Sequence, residues 1–463
     1  MFLTVDRQPN NQLELAFDLS PTGEAREQTG EGTESAVTEH GSESPTDTEH
    51  LMEEVCDPAN LKQALKQVQA NRGSPGVDGM TVKQLPSYLQ RHWSAHRQAL
   101  LEGTYQPQPV RRVRIPKPSG GMRSLGIPTV LDRFIQQAVL TVLQQRWDQT
   151  FSERSYGFRP GRNAQQAVAQ AQSYIAEGYG WVVDIDLERF FDRVNHDLLM
   201  GRIAKRVKDK RLLRLIRAYL NAGVMENGLV SSTEEGTPQG GPLSPLLSNL
   251  MLDDLDRELE RRGHRFVRYA DDCNIYVSSP RAGERVMAGI TGFIERRLKL
   301  KVNKAKSAVA RAGRRKFLGF SFTPGNRPRR RIATEALGRF RGRVRELTRR
   351  SNGISMSSRV WRLSQYLTGW RAYFGYCETP SVLQDLDKWV RRRLRCVHWR
   401  QWRSSRNRYR ELRRRGVDGL LAAHTVGSAC RYWRISKSPA LSYALPNAYF
   451  SELGLPQLCP AAS

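Results

Sequence analysis

Arg265-Phe266-Val267-Arg268-Tyr269-Ala270-Asp271-Asp272-Cys273-Asn274-Ile275-Tyr276-Val277 is the stretch that decides how this chain folds. Two apolar-rich runs flank an adjacent pair of carboxylates. Such runs predict strands, and the turn between them presents both acids at the tip of a hairpin. Unpaired carboxylates are too costly to bury, so these acids do not belong to a core. Their oxygens suit hard divalent cations. On its own the pair is more often a plain turn than a metal site.

Trp181-Val182-Val183-Asp184-Ile185-Asp186-Leu187 predicts a second acid-bearing strand. Asp184 and Asp186 alternate with Val183, Ile185 and Leu187, which puts both acids on one face. Phe190 and Phe191 follow. Together with the hairpin tip, this strand supplies enough carboxylates to hold two metal ions roughly 3.5–4 Å apart, as in polymerases and nucleases.

Six blocks stand in a telling order. They are Pro116-Lys117-Pro118-Ser119-Gly120-Gly121-Met122-Arg123-Ser124-Leu125-Gly126-Ile127-Pro128, Tyr156-Gly157-Phe158-Arg159-Pro160-Gly161-Arg162, Asp186-Leu187-Glu188-Arg189-Phe190-Phe191-Asp192, Gly236-Thr237-Pro238-Gln239-Gly240-Gly241-Pro242-Leu243-Ser244-Pro245, the Asp271-Asp272 pair, and Phe317-Leu318-Gly319-Phe320. This order resembles the reverse transcriptases encoded by bacterial group II introns, over residues 55–455. The resemblance implies an α+β chain: a right-hand polymerase fold of fingers and palm, then an all-α thumb or maturase domain, then a short basic C-terminal region. The expected divisions are an acidic disordered leader (1–54), an N-terminal extension (55–104), fingers and palm (105–328), thumb or domain X (329–405) and a DNA-binding-like region (406–463).

The same resemblance implies an RNA-directed DNA polymerase that uses two Mg2+ ions. It also implies binding of the intron RNA, help with its splicing, and mobility by target-primed reverse transcription. The implied partners are group II intron RNA, a DNA target and primer, and deoxynucleoside triphosphates. Oligomeric state stays open, with a homodimer among the options. Asp186, Asp271 and Asp272 are the implied catalytic and metal-binding acids. Asp186 is preferred to Asp184 because the family's acid stands four and five residues ahead of two aromatics, here Phe190 and Phe191. Phe191 falls where the family blocks the sugar 2′-hydroxyl. Lys117 and Arg123 fall where it grips the triphosphate; the less favoured local reading is a basic hairpin on the template backbone. Gln239 matches a residue lining the incoming nucleotide, and Lys306, beside Lys301 and Lys304, matches a lysine near the triphosphate. Phe317, Leu318 and Gly319 resemble the primer grip.

Composition points the same way. The chain has 463 residues, 39% of them hydrophobic, so it can bury a sizeable core in about three domains. Its net charge of +28 argues for a polyanionic partner. Residues 1–54 hold thirteen acids against two bases, whereas residues 301–420 hold thirty-three Lys and Arg against seven acids. The six cysteines contain no C-x-x-C pair, and no N-terminal signal pattern follows Met1. A reducing cytoplasm and no membrane partner are therefore expected.

Leu61, Leu65 and Val68 predict one face of an early helix, broken by the loop Asn71–Gly79. Val360, Leu363, Leu367, Trp370 and Phe374 predict another, and Leu383, Leu386, Val390, Leu394 and Val397 a third. Arg391, Arg392, Arg393 and Arg395 lie between the last of these and are expected to bind RNA. Ser438–Tyr449 resembles the short DNA-binding region of some intron proteins, and no His-Asn-His module is expected after it. His92 and His96 read as surface residues, and Cys273 as a small packed one. Two competing functions remain: a reverse transcriptase of another retroelement or defence system, and a splicing-only maturase. Retention of the acids argues against the second.

Overall fold

A computed structural model describes residues 48–116, 121–226, 229–231, 236, 240–351 and 353–459. The chain opens on helices α1 (Leu51–Val55), α2 (Pro58–Asn71) and α3 (Leu85–Glu102). α2 starts where the Asp57 side chain accepts from the N–H groups of Ala59 and Asn60, with Pro58 in the first turn. Its buried stripe contains Leu61, Leu65 and Val68, as their spacing predicts, and it stops at Arg72 in the left-handed region.

The acidic leader ends sooner than expected. Leu51 and Met52 are fully buried. The Met52 N–H donates to Asp209 Oδ2 at 2.9 Å, and Glu53 pairs with Arg211 at 2.7 Å. Burying these apolar side chains outweighs the polarity of their neighbours, so residues 48–54 are folded. Residues 1–47 lie outside the described residues.

Next come β1 (Val110–Pro116), β2 (Met122–Ile127), α4 (Val130–Trp147), α5 (Ala164–Ala176), β3 (Trp181–Ile185), α6 (His196–Ala204), α7 (Lys210–Asn221), β4 (Val224–Glu226), β5 (Leu229–Ser231) and α8 (Ser244–Arg261). They are followed by β6 (Arg265–Tyr269), β7 (Asp272–Val277), α9 (Pro280–Phe293), β8 (Ala308–Arg311), β9 (Phe320–Phe322) and β10 (Arg330–Ile332). One sheet has the order β2-β1-β4-β5, a second β6-β7-β3-β8, and β10 pairs with β9 alone. In the first sheet β1 and β2 run antiparallel, with Ile115 opposite Arg123. The rest is helical: α10 (Thr334–Leu347), α11 (Met356–Phe374), α12 (Pro380–Gln401), α13 (Ser405–Arg414), α14 (Gly419–Gly427), α15 (Tyr432–Ile435), α16 (Pro439–Ala444) and α17 (Asn447–Glu452).

Two compact units result. The first takes in residues up to Asn163, Val183–Ile275 and Glu284–Ala308; the second takes in Ala164–Val182, Tyr276–Gly283 and the chain from Val309. The core of the second runs from Ile332 to Leu458. Every predicted apolar position on α11 and α12 is buried in it except Phe374, which is half-buried against it. Leu412, Val417, Ala422, Ile435, Leu441, Leu445 and Phe450 join the same cluster. The stretch after residue 405 therefore shares one core with the helices before it. No helix among the described residues is long and apolar enough to cross a membrane.

Candidate active site

The β6–β7 hairpin turns through Ala270 and Asp271. Ala270 takes a left-handed φ of 58°, which an L residue adopts only where its surroundings insist. Gly157 presses on this turn so closely that a Cβ there would lie 2.2 Å from the Ala270 nitrogen. That contact explains a glycine in the Tyr156–Arg162 block. Beneath the turn the Arg268 side chain is wholly buried. It donates to both oxygens of Asp256, at 2.7 and 2.6 Å. Its remaining nitrogen donates to the Ala270 carbonyl at 2.9 Å and to Asn249 Oδ1 at 3.0 Å. Asn249 in turn donates to the Gly157 carbonyl at 2.9 Å. Burial pushes the Asp256 carboxyl up, and the Arg268 charge opposes it. One buried ion pair thus ties α8, β6 and the Gly157 segment to the turn that bears the acids.

Asp271 sits in that turn and Asp272 opens β7. Asp184 lies on β3, and Asp186 follows directly after it. The Asp186 N–H donates to Ser307 Oγ at 3.0 Å, and its carbonyl accepts from the Asn303 N–H at 2.8 Å. Lys306 Nζ stands 3.7 Å from Asp186 Oδ2. The Asp272 carboxyl is pushed up to about 7. Although part of Asp272 is exposed, the protein packed around its carboxyl is the largest cause, ahead of the charges of Asp271, Asp184 and Asp186; Lys306 opposes. Burial likewise raises Asp271; the Asp186 charge adds to the rise, and Arg123 opposes it. The four acids therefore feel one another. Among the described residues, no three His, Cys, Asp or Glu side chains stand close enough to close around an ion. The donor set nonetheless fits a hard cation: all-oxygen and acidic, raised first by burial and then by mutual repulsion, the second of which a divalent ion would relieve.

Phe190 is core, at 2% exposed, while Phe191 is half-buried, with the two rings 5.1 Å apart. A Cβ at Gly236 would lie 2.9 Å from the Phe191 carbonyl oxygen. His196, which sequence reasoning did not single out, is buried against this strip; its Nε2 lies 2.6 Å from the Gly236 carbonyl. Arg123 is exposed on β2. Lys117 and Gln239 lie outside the described residues. His96 is half-buried rather than on the surface, 3.0 Å from the Tyr88 hydroxyl. Cys273 is buried, as expected, and burial raises its thiol.

In the second unit, Phe317 and Phe320 exchange two backbone hydrogen bonds of 2.9 Å around Leu318 and Gly319. Both turn residues have positive φ, at 50° and 81°, which marks a tight hairpin of the primed type. Tyr373 donates to the Leu318 carbonyl at 2.8 Å. Of the four arginines of α12 expected to face RNA, Arg392, Arg393 and Arg395 are half-buried and one is buried. Arg391 is buried, 3.8 Å from Asp387, and that position is corrected from surface contact to internal ion pair. Arg392 lies 3.6 Å over the Trp433 ring. Arg393 donates to Thr348 Oγ1 at 2.7 Å, and Arg395 to the Leu445 carbonyl at 3.0 Å. Helical spacing turns these side chains toward neighbouring helices rather than to one outer face.

A family model described as reverse transcriptase (RNA-dependent DNA polymerase) matches residues 115–322. A second, described as the group II intron maturase-specific domain, matches residues 337–416. Protein YkfC of Escherichia coli (strain K12) is 33% identical over 301 residues, which cover 56% of this chain and 79% of YkfC. The chain belongs to the group II intron reverse transcriptase and maturase family. It is an RNA-directed DNA polymerase with a maturase domain. The group II intron-encoded protein LtrA of Lactococcus lactis subsp. cremoris is 42% identical over 172 residues, covering 37% of this chain and 28% of LtrA. A solved chain of a partial Cas6-RT-Cas1–Cas2 complex aligns at 27% identity and a TM-score of 0.35, covering 53% of this chain and 42% of that one. Reverse transcriptase domains of this kind work with divalent metal ions.

Proposed function

We propose that this family member copies group II intron RNA into DNA with two Mg2+ ions at Asp186, Asp271 and Asp272, and that its helical unit holds the same RNA during splicing. The observation carrying the reading is the acid cluster at the hairpin tip, where Asp272 is raised to about 7 by packing and by three neighbouring carboxylates. A site that crowds like charges in this way is poised for a cation.

When bound, the two ions lower the pKa of the primer hydroxyl and offset charge on the leaving pyrophosphate. The carboxylates of Asp186, Asp271 and Asp272 hold the ions. Lys117, Arg123 and Lys306 attract the triphosphate and offset charge that builds in the transition state. Phe191 excludes a 2′-hydroxyl by bulk, so deoxynucleotides enter. Gln239 lines the incoming nucleotide. The Phe317–Gly319 turn supports the primer strand, seated on α11 where a Cβ at Gly319 would lie 3.1 Å from the Phe374 ring. Priming at a DNA target couples this synthesis to insertion of the intron.

Two assays on the purified chain test the proposal: Mg2+-dependent extension of a DNA primer on an RNA template, and splicing of a group II intron precursor with and without protein. Extension together with accelerated splicing supports both halves. Splicing without extension would reduce the protein to a maturase, and extension without splicing would return it to another kind of retroelement.

A further inference from the structure

Tyr432, at the start of α15, gathers three arginines. Arg400 on α12 donates to its hydroxyl at 3.2 Å. Arg408 on α13 donates to the same oxygen at 3.4 Å and lies 4.7 Å from the Trp399 ring centre. Arg350, just past α10, lies 5.0 Å over the Tyr432 ring. These residues come from four separate segments, so the fold assembles the group.

No ion pair with an Asp or Glu forms at Arg350, Arg400 or Arg408 among the described residues. Other arginines of this unit are neutralised: Arg415 by Glu411, Arg391 by Asp387, Arg330 by Glu378. Guanidinium groups gathered without a counter-charge repel one another. The two donors also stabilise the Tyr432 phenolate, so Arg400 first, and then Arg408, lower that hydroxyl against the effect of burial. Arg350 and Arg400 are exposed and Tyr432 half-buried, so an anion can reach the group from solvent. Guanidinium forks match the paired oxygens of a phosphate, as they do those of a carboxylate, and the net charge of +28 favours the polyanion. Next in sequence, Trp433 has Arg392 over one face of its ring and keeps 39% of its surface exposed; the uncovered face can stack a base next to a gripped phosphate.

We propose that Arg350, Arg400, Arg408 and Tyr432 form a clamp for one backbone phosphodiester of a nucleic acid, with Trp433 beside it for a neighbouring base. The proposal rests on the reading that the helical unit binds nucleic acid, and it names where.

The test uses the full chain and two labelled hairpins of one sequence, one RNA and one DNA, titrated over a salt series. Arg400→Gln with Arg408→Gln is compared with Lys66→Gln with Arg91→Gln, which removes equal charge from exposed positions on α2 and α3. The clamp variant should bind about tenfold more weakly at moderate salt, from lost charge-assisted hydrogen bonds. Its log–log salt slope should shrink by about 0.7–0.9, the value of one phosphate contact. Tyr432→Phe should weaken binding by less. A loss confined to the RNA hairpin assigns the clamp to RNA, and an equal loss on both assigns it to any backbone. If the clamp variant matches the control in affinity and slope, no phosphate is held there. Should its thermal midpoint collapse, Arg350→Gln, at an exposed position outside the helices, is compared with Arg91→Gln alone. Primer extension on an RNA template runs in parallel. Failure of the wild type there would overturn the polymerase reading while leaving the binding comparison interpretable.

Discussion

At the scale of single residues, Arg268 decides whether the acidic turn holds its shape. Arg268→Met leaves Asp256 buried and unpaired, and should cost about 3–5 kcal/mol of stability. Adding Asp256→Leu should restore most of that stability, since a packed apolar pair replaces the ion pair. Turnover should stay low, because Ala270 and Asn249 have lost their donor. Chemical denaturation and single-turnover extension check the two halves; a turnover number that recovers along with stability would make Arg268 merely structural. Phe191→Ala should raise ribonucleotide use relative to deoxynucleotide use, read from the ratio of incorporation rates. An unchanged ratio would take the sugar gate away from Phe191. His398 gives a third test. Burial, reinforced by Arg415 and opposed by Glu411, pushes its imidazole down to about 4. The folded residue is then neutral where the unfolded one takes up a proton, so its contribution is complete above about 6.5 and fades as pH falls toward 4. His398→Phe should flatten the fall of the thermal midpoint across that window, and an equally steep fall would place the acid-sensitive group elsewhere. The acid pair was legible as a candidate site from its place among the six blocks, not from the pair alone, which reads more often as a plain turn. Arg268 was not, because one arginine among 74 basic residues reads as surface. Its one signal was its face: Arg268 and Phe266 stand two apart on a strand, so burial of one implies burial of the other.

At the scale of elements, α1 and α12 are where local reading and tertiary packing part. α1 carries Glu53 and Glu54 and continues an acidic stretch, yet it buries Leu51, Met52 and Val55. A five-residue helix cannot announce itself by periodicity, and its burial depends on partners such as Asp209, more than a hundred residues away. Removing residues 1–54 should therefore lower the thermal midpoint sharply, at about 2–5 kcal/mol per large buried side chain lost. Removing residues 1–47 spares α1 and should lower the midpoint less. Equal midpoints for the two truncations would contradict the packing of α1. On α12 the apolar stripe was fully legible from its spacing, because period alone places a core face. Where its arginines point was not legible, since that depends on which helices pack alongside. The Leu318-Gly319 turn was legible as a site of close approach through its glycine, while its two-residue hairpin form follows from a pair of positive φ values that sequence does not display.

At the scale of the whole molecule, the family and the fold class were readable, and the acids could be named as candidates, from six blocks in order, because the order is far more specific than any one block. The boundary placed near residue 405 was not, because the following basic stretch hides the apolar residues that complete one core. The net charge of +28 draws any polyanion and cannot separate a polymerase from an RNA-binding maturase. The separation lies in the hairpin tip. The most direct measurement is single-turnover extension of a DNA primer on an RNA template with Mg2+, for the wild type and for Asp271→Asn with Asp272→Asn, with binding of the primer–template measured alongside. These substitutions keep the shape of the turn and remove the charge that holds the ions. The account predicts that extension is lost, by at least about three orders of magnitude at about 1.36 kcal/mol per tenfold, while binding is retained. Extension by the double variant at the wild-type rate would contradict it.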